Sequence, residues 1–253
     1  MCTLAVYFRA SRRYPLLLAA NRDEFLARPT REPAVLDERP WIVAGLDLEA
    51  GGTWLGLHAS GLVAAILNRR TSGGPDPTLR SRGLLCLEAL RQGSVERALA
   101  FLRAQDPSRY NPFHLLLADG ARAVLVRNRQ AGFEERELRA GLHLVSNLDL
   151  DDPTCPRIAG SYLSFAFLCP LLDRLAPREV VSRLRQVLSR HETPLDPRDP
   201  ETSGSLCVHR GPYGTRSSTV VLREGPTVRY FHASGPPCRS SFAEVPVPAD
   251  SPP

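Results

Sequence analysis

Apolar positions in the first 70 residues come as continuous runs, each ending in an abrupt polar step. Cys2 to Phe8 is one run, and Pro15-Leu16-Leu17-Leu18-Ala19-Ala20 is a second that stops at Asn21-Arg22-Asp23-Glu24. Unbroken apolar stretches of this length predict strands buried on both faces, with the polar residues at the strand exit. A Pro- and Arg-containing loop follows. Gly51-Gly52 then opens a predicted hairpin of Thr53 to His58 and Leu62 to Asn68, turning at Ala59-Ser60-Gly61. Residues Ser81 to Leu102 carry leucines and valine at helical spacing, interrupted near Gly93. Strands are expected at Phe113–Ala118, Ala123–Arg127, Phe133–Leu138 and Leu142–Ser146. Two helices, about Ile158–Leu175 and Arg178–Ser189, come next. The last expected strands are Leu206–Arg210, Ser217–Leu222 and Val228–His232.

Many strands and two helical pairs, with strands needed from both ends of the chain, predict a single α+β domain of layered sheets and helices over residues 1–233. The Pro- and Ser-rich stretch 234–253 is expected to be a loose tail.

Composition narrows the chemistry. The 253 residues include 32 basic and 27 acidic ones, and every basic residue is arginine. The absence of lysine excludes Schiff-base, phosphate-loop-lysine and Ser–Lys mechanisms. The arginines are spread along the chain with no basic run interleaved with aromatics, which argues against a nucleic-acid partner. No apolar run reaches the ~18–20 residues of a membrane span, so stable membrane insertion is not expected. The first residues show no signal-peptide pattern, and a cytoplasmic location is the expectation.

Six cysteines stand at positions 2, 86, 155, 169, 207 and 238, without a C-x-x-C pair. Cys86 lies among leucines and is expected to be a buried thiol. Cys207 and His209 supply only two ligands on one strand face, so no metal site is expected.

Polar residues recur at the ends of the apolar strands: Asp23, Asn68, Asn147 and the Tyr213-Gly214-Thr215-Arg216 step. Strand ends present side chains to a pocket from a rigid scaffold. Cys2 supplies a nucleophile. With Met1 removed, Cys2 carries a thiol and a free α-amine, which titrates near ~7.7–8.0 and can act as general base for its own thiol. Asparagine side chains can donate to an oxyanion, an aspartate can orient the ammonium, and a neighbouring arginine favours thiolate. Trp54 and Trp41 are candidates to line a ligand cleft.

Several motifs, in order, resemble one family. Leu18-Ala19-Ala20-Asn21-Arg22-Asp23-Glu24-Phe25 with Arg28-Pro29 resembles the signature of the NRDE, or transport-and-Golgi-organisation-2, family. So do Met1-Cys2, Gly45-Leu46-Asp47, Gly51-Gly52-Thr53-Trp54-Leu55-Gly56, Ser146-Asn147 and Tyr213-Gly214-Thr215-Arg216-Ser217-Ser218-Thr219. The resemblance implies the fold of N-terminal-nucleophile hydrolases, a four-layer αββα sandwich, and similarity to cysteine acylases that cut bile-salt and penicillin V amides. It implies Cys2 as nucleophile and Asn21 and Asp23 as the Asn and Asp of an Arg-Asn-x-Asp step. Asn68 and Asn147 become the oxyanion or amine-orienting asparagines, and Arg216 a late arginine, with Asn21, Arg22 and Trp54 near substrate. The chain departs from the acylases at Ala20, where they carry an arginine, so the guanidinium near the thiol is expected from Arg22 or Arg216.

Two functions follow from the resemblance. One is an amidohydrolase acting on a small acyl amide, with no cofactor required. The other is a non-catalytic carrier of haem, or of acyl-CoA or lipid. For haem, Cys155-Pro156 and Cys169-Pro170 offer thiolate ligands, and His58, His114, His143 and His232 offer imidazoles.

Overall fold

The computed structural model describes residues 2–70, 74–129, 132–192 and 204–248. The chain forms two compact units, Met1–Ala27 with Ala140–Val245, and Arg28–Arg139 with Pro246–Pro253.

The first unit is built on a seven-stranded antiparallel sheet. Its strands are β1 (Thr3–Phe8), β2 (Leu16–Phe25), β10 (Gly141–Val145), β11 (His209–Arg210), β12 (Tyr213–Glu224), β13 (Thr227–Ala233) and β14 (Ala243–Val245). They run in the order β10-β1-β2-β12-β13-β14, with β11 paired to the start of β12. Helices α3 (Pro156–Ala166) and α4 (Pro177–Leu188) cover one face. Ala5, Tyr7, Leu17, Ala19, Val220 and Leu222 point into that layer against Ile158, Phe165, Val180, Leu184 and Leu188. Residues of the opposite parity, Leu4, Val6, Leu16 and Leu18, are also fully buried, which is why these strands show no alternation in sequence.

Three expectations change here. The polar step Asn21-Arg22-Asp23-Glu24 is not a strand exit, because β2 continues through it to Phe25. The polar half of β2 pairs with a polar half of β12, placing Asn21 opposite Ser218 and Asp23 opposite Thr215. Cross-strand hydroxyls satisfy side chains that would otherwise be buried without partners. The helix expected over Ile158–Leu175 is instead α3 followed by a 3₁₀ turn, Cys169–Arg174. Pro170 has no N–H to continue an α-helix. Within the stretch expected to be loose, β14 pairs with β13 through Tyr230, Phe231 and His232.

The second unit is a seven-stranded antiparallel meander, β3-β4-β5-β6-β7-β8-β9. Its strands are β3 (Thr30–Glu38), β4 (Trp41–Asp47), β5 (Leu55–His58), β6 (Val63–Asn68), β7 (Phe113–Ala118), β8 (Ala123–Arg129) and β9 (Gly132–Glu137). Helices α1 (Arg82–Leu90) and α2 (Val95–Arg103) pack through Leu85, Leu90, Leu99 and Leu102 on Ile42, Ala44, Ala64, Leu115 and Val124. Ser81 and Ser94 cap the two helices, their hydroxyls accepting from Leu84 N and Arg97 N. The β3–β4 hairpin occupies the region expected to be a loop. Its outer strand is an edge strand carrying Arg31, Glu32 and Pro33, with a register break between Arg31 and Ala34, a composition that protects an unpaired edge and hides a strand from pattern reading.

The Gly51-Gly52 pair serves a close approach. Thr53 N donates to Gly83 O at 3.0 Å, and a Cβ on Gly52, where φ is +80°, would lie 2.0 Å from the Gly83 carbonyl carbon. Replacing Gly52 by Ala should therefore destabilise the protein by at least about 2 kcal/mol in urea unfolding. Gly51→Ala should cost only about 1 kcal/mol, since its φ of +73° is unfavourable but its Cβ would meet only the Leu84 side chain. Among the described residues, no helix is long and apolar enough to cross a membrane.

Candidate functional site

Cys2 leads directly into β1, the strand between β10 and β2 in the first unit's sheet. It is half-buried, and its Sγ lies 3.9 Å from the Asp23 carbonyl oxygen. Burial raises the Cys2 thiol pKa above its ordinary value. Nearby Asp23 acts in the same direction, while the Asp23 hydrogen bond and Arg22 oppose it. The Cys2 carbonyl oxygen is 3.1 Å from Ser146 Oγ, the same hydroxyl that lies 3.4 Å from Asn147 Oδ1. Ser146 thus links the backbone of Cys2 to the buried Asn147 just beyond β10.

Asp23 presents two different faces. Its carbonyl meets the thiol and also accepts from the Tyr213 hydroxyl at 3.2 Å. Its carboxylate turns to Arg157 and Thr215: Arg157 Nη1 donates to Oδ2 at 2.8 Å, and Thr215 Oγ1 donates to Oδ1 at 2.7 Å. Arg157 Nη1 also lies 3.2 Å from Thr3 Oγ1. The side chains of this ion pair are 2% and 0% exposed. Arg157 is the second residue of α3, where a cation opposes the helix dipole. Its partner is therefore Asp23, at the cost of a poorer helix start.

A further guanidinium, that of Arg157, which the sequence does not single out, is bound to the Asp23 carboxylate. Arg22 is buried and 4.0 Å from Glu24, and its charge acts on the Cys2 thiol. Arg216 sits at a β-bulge, where β12 shifts register against β2 between Thr215 and Ser217. Bulges re-aim side chains, and Arg216 Nε is buried with no hydrogen-bond partner among the described residues.

Asn21 is a brace. Its amide nitrogen donates to Leu188 O at 3.0 Å and Leu206 O at 2.8 Å, and its oxygen accepts from Ser218 Oγ at 2.6 Å. Both amide protons are engaged by the scaffold, which corrects the expectation of a substrate contact. The sequence-expected residues brought together in the first unit are therefore Cys2, Asn21, Arg22, Asp23 and Asn147, joined by Thr3, Ser146, Arg157, Tyr213 and Thr215, with Arg216 following Thr215 on β12. Tyr213 is a phenol whose pKa burial raises first of all, with the nearby thiol and carboxylates acting in the same sense. It is accordingly a neutral donor, and its ring meets Phe25 edge-on at 5.4 Å.

Asn68 and Trp54 belong to the second unit. Asn68 ends β6 opposite Phe113 and is exposed. The Trp54 ring fills the space left by Gly45, whose Cβ would lie 2.4 Å from it. Cys155 and Cys169 both pack into the first unit's helix–sheet core. Three of the four histidines are tied locally, His58 to Ser60, His143 to Asp151 and His232 to Thr219; His114 is buried in β7.

The fold is shared with known acylases. The chain superimposes on penicillin V acylase from Agrobacterium tumefaciens with a TM-score of 0.61 and 17% identity, covering 96% of this chain and 86% of that one. A mutant of conjugated bile acid hydrolase from Clostridium perfringens gives 0.58 and 12%, covering 98% and 97%. The architecture is thus the αββα sandwich of N-terminal-nucleophile hydrolases, an α+β fold, as the motifs imply. In sequence, residues 1–231 match the model of the Transport and Golgi organisation 2 family. The Transport and Golgi organization protein 2 homolog of Bos taurus is 34% identical over 232 residues, covering 83% of this chain and 82% of its own length. The chain belongs to the Transport and Golgi organisation 2 family.

Proposed function

We propose that this protein is an N-terminal-cysteine amidohydrolase acting on a small acyl amide. The observation that carries the proposal is the buried Arg157–Asp23–Thr215 network standing directly behind the Cys2 thiol. The fold, shared with acylases, supports it.

After removal of Met1, the α-amine of Cys2 accepts the thiol proton, and the thiolate attacks the amide carbonyl carbon. Negative charge on the carbonyl oxygen is met by the N–H donors of Asn147. The ammonium returns its proton to the leaving nitrogen as the C–N bond breaks, leaving a thioester. Water, deprotonated by the same amine, then releases the carboxylic acid. Asp23 and Arg157 hold the end of β2 against the start of β1. Arg157 is a positioning residue, and the guanidinium charge that acts on the thiol is that of Arg22. Arg216, re-aimed by its bulge, offers Nε to a polar group of the substrate.

The test is an intact mass of the purified protein with and without a panel of acyl amides. The expected result is loss of Met1 and a single hydroxylamine-sensitive acyl adduct on Cys2. Retained Met1 together with no adduct from any panel member would overturn the reading.

Thiol chemistry supplies a second expected result. In protein that still carries Met1, burial holds the Cys2 thiol protonated at neutral pH, since its pKa is raised. Its alkylation rate should therefore begin to climb only at a pH above that of free cysteine, measured by mass-resolved iodoacetamide labelling. An onset at or below that of free cysteine would contradict the assignment.

A further inference from the structure

Away from Cys2, the first unit gathers four metal-binding side chains at its surface. His191 follows α4, Cys207 and His209 flank Val208 at the start of β11, and Cys238 lies between β13 and β14. Their ligand atoms all fall within 4.8 Å of one another. Cys207 Sγ is 3.6 Å from Cys238 Sγ and 3.6 Å from His209 Nε2, and His209 Nε2 is 3.3 Å from Cys238 Sγ. A tetrahedral zinc with Zn–S of ~2.3 Å and Zn–N of ~2.05 Å requires edges of about 3.8 Å between sulfurs and about 3.6 Å between sulfur and nitrogen. The three measured edges match these within a few tenths of an ångström.

The fourth ligand is oriented for the same purpose. His191 Nδ1 lies 2.9 Å from the Cys207 carbonyl oxygen, which can only accept, so Nδ1 carries the proton and Nε2 keeps its lone pair. A backbone carbonyl holding the distal N–H of an imidazole is the usual support of a metal-bound histidine. The two imidazole rings lie side by side with centroids 5.1 Å apart, tilted by 36°. Cys207 is buried and Cys238 half-buried, while both histidines are exposed, so the sulfurs face inward and an ion can enter from solvent.

We propose that His191, Cys207, His209 and Cys238 form a tetrahedral zinc site. Two thiolates and two imidazoles are the donor set of zinc, and four protein ligands leave no open position, so the site is structural. Sequence spacing shows only Cys207 and His209 of these four, because the fold brings in His191 and Cys238. The site would clamp the β11–β12 hairpin. Val208, between two of the ligands, donates its N–H to Thr215 Oγ1 at 2.9 Å, and Thr215 N donates back to Val208 O at 2.9 Å. Thr215 is the residue that holds the Asp23 carboxylate.

The alternative use of the same sulfurs is a Cys207–Cys238 disulfide, which needs neither histidine. The test uses the full chain, reduced and stripped with a chelator, then titrated with Co²⁺ as the spectroscopic probe and with Zn²⁺ as competitor. One equivalent of Co²⁺ should produce sulfur-to-cobalt charge-transfer and tetrahedral d–d bands that Zn²⁺ abolishes, and Zn²⁺ should raise Tm. Cys238→Ser and His191→Gln should each lose the bands or bind at least about tenfold more weakly, and both should stay folded because these side chains are not fully buried. Cys169→Ser should bind as the parent does. Absence of the bands at one equivalent, bands unaffected by both ligand substitutions, or a mass loss of one disulfide in protein kept under reductant would each overturn the proposal.

Discussion

Replacing Arg157 by Met is expected to lower the unfolding free energy by about 3–5 kcal/mol, because it strands the Asp23 carboxylate in a site its side chain cannot leave. The loss comes less from the attraction itself than from the unpaired charge that remains. Asp23→Asn should cost a similar amount, since it leaves the buried guanidinium unpaired and its one amide oxygen replaces only one of the two carboxylate oxygens that accept from Thr215 and Arg157. The double variant, Asp23→Asn with Arg157→Met, should be more stable than the sum of the two single losses predicts, by at least about 1 kcal/mol in urea unfolding. Strictly additive losses would mean that the two groups do not act as a pair. Arg157→Lys should recover only part of the loss: a single nitrogen, Nη1, makes both the Thr3 and the Asp23 contacts, but an ammonium is more strongly hydrated than a guanidinium and costs more to bury. If the pair also positions Cys2, Arg157→Lys should change the alkylation rate of Cys2 under conditions where the variant remains fully folded. An unchanged rate would leave the pair with a purely structural role.

The motifs that carry the fold were legible because they follow local rules. Burial on both faces shows as unbroken apolar runs at Thr3–Phe8 and Leu16–Ala19, and the Gly51-Gly52 pair marks a break in the chain before a hairpin, though not its close approach to Gly83. The helices of the second unit announce themselves by apolar spacing and the break near Gly93. What stayed hidden was long-range pairing. The polar half of β2 looks like a strand end until it is set against Thr215, Ser217 and Ser218 of β12, a matched polar stretch almost two hundred positions away. The β3 edge strand is obscured by the same charges and proline that protect it from further pairing. Arg157 carries no local signal at all, since its only distinction is that α3 starts beside Asp23. The Cys/His cluster shows the same principle most sharply. Cys207 and His209 are two residues apart, but Cys238 is 31 positions from Cys207, and only the β12–β13 hairpin returns the chain to it.

The largest expected effect belongs to the α-amine of Cys2, and it can be separated from the thiol. Cys2→Ala should abolish amide turnover, by a factor on the order of 10⁴ or more, because no other group is placed to form the thioester. That result alone would not distinguish an N-terminal nucleophile from an ordinary cysteine hydrolase. Inserting one glutamate between Met1 and Cys2 keeps the thiol but blocks methionine removal and converts the Cys2 amine into an amide, which cannot take a proton. The insertion should therefore match Cys2→Ala in turnover while retaining an alkylatable thiol. In the processed parent, turnover should rise with pH as the amine loses its proton near ~7.7–8.0, since the protonated amine cannot serve as base. Loss of stability on insertion should be small, because Cys2 precedes the first paired residue of β1, Thr3. An inserted variant that still turns over substrate would exclude the amine as base and move the search for one to the other groups at the thiol, of which the Tyr213 hydroxyl is tied to the same Asp23 carbonyl.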